Sequence, residues 1–415
     1  MDKPQLENIY AAAELLSTVI RHTPLEKNDS LSLKFSANVY LKREDLQVVR
    51  SYKLRGAYNK MLSLSAEELA KGVVCASAGN HAQGLAWACN RMQVKGYIFM
   101  PNTTPKQKIR QVNFFGKEWV EIRLVGDSFD DASQAAREFT QEHGCTYVHP
   151  FDDLQVIEGQ GTVGLEIFKD SNFKIDYILF AIGGGGLASG VSTVFKQLSP
   201  KTKLIGVEPA GAPSMKESLD KGETVTIEHM DKFVDGAAVA RVGNITFEVC
   251  RENIQEVLIV PEGKVCSVIL DLYSEDAIVA EPAGALSIAA LDQIADKIKG
   301  KNVVCIVGGG NNDILRMEEI RERSLIYEGL KHYFIIRFPQ RAGAMKEFLD
   351  GALGPTDDIV YFEYSKKTAR ELGPALVGIE IRRKDDFEGL LNRMNDAGIQ
   401  FTYINDKPEL FEFLI

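Results

Sequence analysis

Ile175-Asp176-Tyr177-Ile178-Leu179-Phe180-Ala181-Ile182 is an apolar run of strand length, followed at once by Gly183, Gly184, Gly185 and Gly186 and then by a small-residue helical pattern from Leu187 to Leu198. A run this apolar reads as a strand buried on both faces, the habit of parallel sheets. The same strand, loop and helix order recurs on both sides of it. Gly72 to Ala76, Gly96 to Met100 and Trp119 to Val125 each lead into a helical pattern, as in Phe129 to His143, where Ala132, Ala135, Ala136 and Phe139 share one side. Lys203 to Pro209 and Asn302 to Val307 are two more buried strands. Strand, helix, strand without hairpin turns predicts an α/β fold with parallel sheets and right-handed crossovers, in two lobes that meet at a cleft.

The flanks differ. Near the front, Ile9, Ala12, Leu15, Leu16 and Val19 recur at helical spacing and predict a helix over Glu7 to Arg21. Beyond Arg321 the predicted order is strand Tyr333–Phe338, helix Ala342–Leu353, strand Ile359–Tyr364, strand Ala375–Ile381, helix Asp386–Ala397 and strand Gln400–Ile404. That β-α-β-β-α-β order is a small ferredoxin-like α+β domain, expected to bind rather than to catalyse.

Length and composition bound the reading. A chain of 415 residues exceeds one ordinary core, while 45% hydrophobic and 26% charged residues are those of a globular protein. Net charge is −10 and no basic block tracks a phosphate backbone, so nucleic acid is not expected as a partner. No apolar stretch has the length of a membrane span and the first residues lack a signal-peptide core, so a cytoplasmic location is expected, with no membrane partner. Cys75, Cys89, Cys145, Cys250, Cys266 and Cys305 lack C-x-x-C spacing and are expected as buried thiols. The six histidines show no ligand spacing, so no metal ligand is assigned.

Three stretches carry chemistry. After the strand, Gly183 to Gly186 set several backbone N–H groups at a helix start; a bound phosphate and a tight turn with unusual dihedrals are equally good readings of the run alone. Ser77-Ala78-Gly79-Asn80-His81-Ala82-Gln83-Gly84 repeats this grammar, and reads either as an ordinary N-cap or as a clamp for a substrate carboxylate. His81 is given no acid or base work. Lys53, in Ser51-Tyr52-Lys53-Leu54-Arg55-Gly56-Ala57, would by itself be a surface charge. Desolvation or a nearby cation would make its amine nucleophilic. Lysine for an imine, glycines for a phosphate and a polar helix start for a carboxylate together describe a site for pyridoxal 5'-phosphate. Gly56 and Ala57 would let the Lys53 helix approach a neighbour closely.

These stretches, with Glu281-Pro282-Ala283-Gly284-Ala285, resemble the tryptophan-synthase-β-type (fold type II) pyridoxal-phosphate enzymes, and among them the biosynthetic threonine dehydratases. The resemblance covers the whole chain, since Phe338-Pro339-Gln340-Arg341-Ala342-Gly343-Ala344 is similar to that family's ACT-like regulatory domain. It implies a large catalytic domain of residues 1–51 and 147–322, a small one of 52–146 and a regulatory one of 323–415. Lys53 would carry the cofactor as an imine and then remove the Cα proton. Gly183, Gly184, Gly185, Gly186 and Leu187 would hold the phosphate, Tyr52 would lie against the ring, and Asn80 would bond its phenolic oxygen. Ser77, Gly79, Asn80 and His81 would frame the substrate carboxylate. The implied reaction is α,β-elimination of L-threonine to 2-oxobutanoate and ammonia at the start of isoleucine biosynthesis, with L-serine as a second substrate. Isoleucine is the implied inhibitor, valine its opponent, and a homotetramer the implied assembly.

Four positions depart from relatives, the first being Tyr52, a conservative change where phenylalanine is usual. Ala78 stands where serine racemases carry a second serine, so little racemisation is expected. Gly308, on the loop facing the pyridine nitrogen, stands where a serine hydroxyl is usual. At the cation site of some relatives Glu208 and Ala212 are kept, while Ser214 replaces an acidic ligand. Two other readings stay open: a different fold type II enzyme such as a serine dehydratase or racemase, and a non-catalytic amino-acid sensor that keeps the pocket.

Overall fold

The computed structural model describes residues 2–364 and 371–407, and the chain divides into two compact units, Met1–Asp313 and Ile314–Ile415. The first unit holds two sheets. Its strands in chain order are β1 (Leu25–Lys27), β2 (Asn38–Arg43), β3 (Val73–Ala76), β4 (Gly96–Met100), β5 (Val120–Leu124), β6 (Thr146–Tyr147), β7 (Tyr177–Ala181), β8 (Lys203–Pro209), β9 (Glu256–Val260) and β10 (Asn302–Val307). Six of them form a sheet in the order β1-β2-β10-β7-β8-β9, and four form a second in the order β5-β4-β3-β6. Every pairing is parallel except that of β1 with β2.

The burial pattern explains why. Every residue of β3 is buried, and so are all but one of β7, β8 and β10, because helices cover both faces. Around the larger sheet the core gathers Phe180, Phe195, Ile178, Val191, Val304 and Ile306, and around the smaller one Leu54, Met61, Leu85, Ile98, Val112 and Val148.

The first helix is shorter than its apolar spacing predicts. It spans Leu6–Leu16, and the N–H groups of Val19 and Ile20 both fold back onto the Leu16 carbonyl to close it. Ser17 and Thr18 compete for backbone hydrogen bonds, and Pro24 lies ahead, so the periodic positions beyond Leu16 pack from a turn.

In the second unit, β11 (Lys331–Pro339), β12 (Asp358–Tyr364), β13 (Leu372–Glu380) and β14 (Gln400–Tyr403) form an antiparallel sheet in the order β12-β13-β11-β14. The helices Ala344–Ala352 and Asp386–Asp396 pack on each other and close a core of Phe334, Ile336, Phe348, Val377, Leu390 and Met394. This is the β-α-β-β-α-β order that the apolar alternation predicts. All six cysteines are buried and none forms a disulfide, and no helix of the described residues is long and apolar enough to cross a membrane.

Candidate active site

In parallel sheets, ligand sites collect at the carboxyl ends of the strands, where loops lead into helix starts. Four such loops converge here. The glycine run follows β7, Ser77 to Gly79 follow β3, His149 to Asp153 follow β6, and Gly308 to Asn312 follow β10. Lys53 begins the helix Lys53–Leu62, with Tyr52 as its N-cap.

What anchors that helix is buried charge. Arg55 is fully buried and donates through Nε and Nη2 to Glu44 at 2.9 and 2.7 Å, and through Nη1 and Nη2 to Glu166 at 2.7 and 2.9 Å. Lys42, also fully buried, adds a 2.6 Å bond to Glu166. Burial opposes these charges, but the guanidinium and the ammonium together hold the Glu166 carboxyl down at about 2. Gly56 then lets the helix meet Leu154–Asp170 closely, since a Cβ there would lie 2.6 Å from the Val156 carbonyl oxygen. The close approach that the small residues predict is made against this helix.

The Lys53 amine donates to the Pro150 carbonyl at 3.0 Å. Burial pulls its pKa down to about 8, and only Glu281 pulls the other way. A sizeable neutral fraction near pH 8 meets the demand for a nucleophilic lysine.

Across the cleft, the N–H groups of residues 183–187 donate to no acceptor among the described residues. Gly185 sits at φ +93°, just before the helix Gly186–Leu198, and a Cβ at Gly184 would lie 2.2 Å from the Phe151 ring. Thr246 Oγ1 pins the loop by donating to the Gly184 carbonyl at 2.7 Å. Asp152 accepts from the N–H groups of Asn244, Ile245 and Thr246, which ties the His149 to Asp153 loop to the same scaffold. Open N–H groups at a helix start, backed by side chains that leave no room for a Cβ, suit a phosphate; with the desolvated lysine, the residues present fit pyridoxal phosphate.

Ser77 Oγ accepts from the Gly79 N–H at 3.2 Å, and a Cβ at Gly79 would meet only open space. The backbone N–H groups of Asn80 and His81 have no acceptor among the described residues, as a carboxylate clamp requires. The His81 ring is buried, contacts the Val148 carbonyl at 2.9 Å and is pushed down to about 3 by burial and by Lys53, so it stays neutral. Asn80 Nδ2 donates to Glu281 Oε1 at 2.6 Å, and Asn80 Oδ1 accepts from Asn311 Nδ2 at 2.8 Å. Tyr52 lies beside Gly308: its N–H donates to the Gly308 carbonyl at 3.2 Å, and a Cβ at Gly308 would lie 3.3 Å from the tyrosine ring. Ala78 brings no proton donor.

Glu208 is fully buried and accepts from the N–H groups of Met215 and Lys216 at 2.7 and 2.8 Å, so it caps the helix Ser214–Lys221. Burial pushes its carboxyl up to about 7. Among the described residues no group of three or more His, Cys, Asp or Glu is placed to hold a metal.

Residues 16–309 match the family described as pyridoxal-phosphate dependent enzyme, and residues 322–414 match the C-terminal regulatory domain of threonine dehydratase. An L-threonine dehydratase biosynthetic IlvA from Halalkalibacterium halodurans is 57% identical over 415 residues, covering 100% of both chains. The chain belongs to the biosynthetic threonine dehydratase family of pyridoxal-phosphate dependent enzymes. Among solved structures in this wider family, the processed form of threonine deaminase isoform 2 from Solanum lycopersicum superposes with a TM-score of 0.73 at 42% identity, covering 78% of this chain and 95% of that one. A maize serine racemase superposes with a TM-score of 0.73 at 27% identity, covering 79% and 99%.

Glu281, Asn311, Pro150 and Phe151 are the site residues to which sequence reasoning gave no role. Glu281, which heads the Glu281 to Ala285 stretch, and Asn311, on the loop that begins at Gly308, carried a signal.

Proposed function

We propose that the protein deaminates L-threonine to 2-oxobutanoate and ammonia, accepts L-serine as a second substrate, and commits carbon to isoleucine. The observation that carries this reading is the pairing of a desolvated Lys53 amine with an open backbone cradle at residues 183–187. Bound pyridoxal phosphate supplies the electron sink for the charge left when the Cα proton departs. The chain's own residues do the rest.

Gly183 to Leu187 hold the phosphate, while Asn80, Tyr52 and the loop at Gly308 bound the ring. Ser77, Gly79, Asn80 and His81 receive the substrate carboxylate through the clamp and so aim the Cα–H bond. Lys53 Nζ, which would hold the cofactor, would also serve as the base, because an amine titrating at about 8 is partly free near neutrality. Ala78 offers no proton to the opposite face, which favours elimination over racemisation. The 314–415 unit takes isoleucine as inhibitor with valine opposing it, each by binding one state of a homotetramer better than the other.

Formation of 2-oxobutanoate from L-threonine tests the reading. Lys53→Ala is expected to abolish both turnover and the visible absorbance of the lysine-bound cofactor. A yellow protein inert toward L-threonine and L-serine would instead favour an amino-acid sensor.

A further inference from the structure

Glu281 is a buried carboxyl beside the reacting amine that the proposed mechanism does not use. It heads the helix Pro282–Ala289, its N–H donates to the Gly309 carbonyl at 3.1 Å, and its Oε1 accepts from Asn80 Nδ2 at 2.6 Å. Asn311 Nδ2 closes the chain by donating to Asn80 Oδ1 at 2.8 Å and to the Val49 carbonyl at 2.9 Å. An amide whose oxygen is taken by an N–H donor and whose nitrogen is taken by a carboxylate has one orientation. Among the described residues, Asn80 Nδ2 has no second acceptor, so one N–H is left for a ligand oxygen.

The loop after β10 presses this arrangement together. A Cβ at Gly309 would lie 2.3 Å from Glu281 Oε1 and 3.2 Å from Asn80 Nδ2. The charged and titratable groups that face the carboxyl come from three other elements. Lys53 and Tyr52 stand at the start of their helix, Lys108 on the helix Lys106–Gly116, and Asp235 on the loop that Lys108 pairs with. Burial and Asp235 push the carboxyl up to about 7; the Asn80 amide, Lys108 and the Asn311 N–H oppose them.

We propose that Glu281 is a positioning residue of this site: it holds Asn80 Nδ2 toward the cofactor, and its ionisation sets the charge that Asn80 and the Lys53 nitrogen experience. The inference rests on the pyridoxal-phosphate reading above. As an anion, Glu281 grips the amide through a charge-assisted hydrogen bond and stabilises positive charge on the lysine nitrogen. As a neutral acid it does neither.

The test is a pH titration of the absorbance of the holoenzyme without substrate. In the wild type, the visible band of the protonated lysine imine gives way to the near-ultraviolet band of the neutral form as pH rises. Glu281→Gln keeps the shape and an acceptor oxygen, so a merely structural role leaves that midpoint unmoved. Loss of the charge is expected to lower it by about one pH unit. Gly309→Ala, which drives a methyl group onto the carboxyl, is expected to shift it in the same direction and keeps the inference testable if Glu281→Gln does not fold. Asn311→Ala leaves the charge and frees the amide, so the cofactor Kd is expected to rise about tenfold, the worth of one hydrogen bond, at an unchanged midpoint. Yellow Glu281→Gln or Gly309→Ala protein with the wild-type midpoint would overturn the inference and leave the cofactor reading standing. Colourless wild-type protein would overturn both.

Discussion

The two ends of the candidate site are built from different materials. At residues 183–187 the ligand would meet backbone N–H groups, which do not titrate and need only glycine and the absence of a clash. At Asn80 it would meet a side-chain amide held by Glu281 and Asn311, one of which changes charge near neutrality. The contrast teaches a division of labour: the backbone end would supply affinity through groups that do not themselves titrate, and the side-chain end would supply orientation and a charge that pH can tune.

Several variants would break or sharpen that contrast. Arg55→Met would unseat the helix that presents Lys53 to both ends, because Glu44 and Glu166 lose their shared partner in the core. We expect a loss of about 4 kcal/mol in chemical denaturation, the size of a broken buried pair. Equal stability of variant and wild type would show that the network is dispensable.

Glu208 is the titratable support behind the backbone end, since it caps the helix whose Met215 Cε would lie 3.1 Å from a Cβ at Gly185. Its folded pKa of about 7 lies above the 4.5 of an ordinary glutamate, so the folded state holds a proton that the unfolded chain releases. Stability is therefore lost as pH rises from about 4.5 to 7, by on the order of 3 kcal/mol. Denaturation at pH 5 and pH 8 checks this: Glu208→Gln should lack that share of the decline. A variant that tracks the wild type at both values would contradict the assignment.

Gly184→Val tests the backbone end alone. With the Phe151 ring in the way, the loop must shift, and loss of two phosphate contacts should weaken cofactor binding about 100-fold. The pH midpoint of the remaining bound cofactor should not move, in contrast to Glu281→Gln. The smallest expected effect on turnover is that of ending the chain after Asp313. Turnover should stay within about twofold while isoleucine loses its grip, as linkage demands if the effector binds the 314–415 unit. Retained inhibition would put the effector elsewhere.

The same division explains what the sequence made legible. The glycine run, Lys53 and Ser77 to His81 are local signals, each readable from a strand, a turn and a helix start within about ten residues. The alternation of apolar strands likewise forecast the parallel sheets and the four-stranded order beyond Arg321. Glu281 and Asn311 reach Asn80 from 201 and 231 residues away, and the carbonyl that holds the Lys53 amine belongs to Pro150, 97 residues on. No periodicity encodes such meetings. Similarly, Glu208 reads from sequence as a remnant cation ligand, and only the fold shows both its oxygens committed to a helix cap. The first helix is shorter than its spacing predicts because Val19 packs, half-buried, against the small-sheet core from a turn, and spacing cannot tell a turn from a further helical residue.

The most direct measurement is borohydride reduction of the purified yellow protein followed by peptide mapping. The account predicts the reduced cofactor on the peptide that contains Lys53, with the visible band bleached and turnover of L-threonine lost. A label on another lysine, or a colourless protein that still converts L-threonine to 2-oxobutanoate, would contradict it.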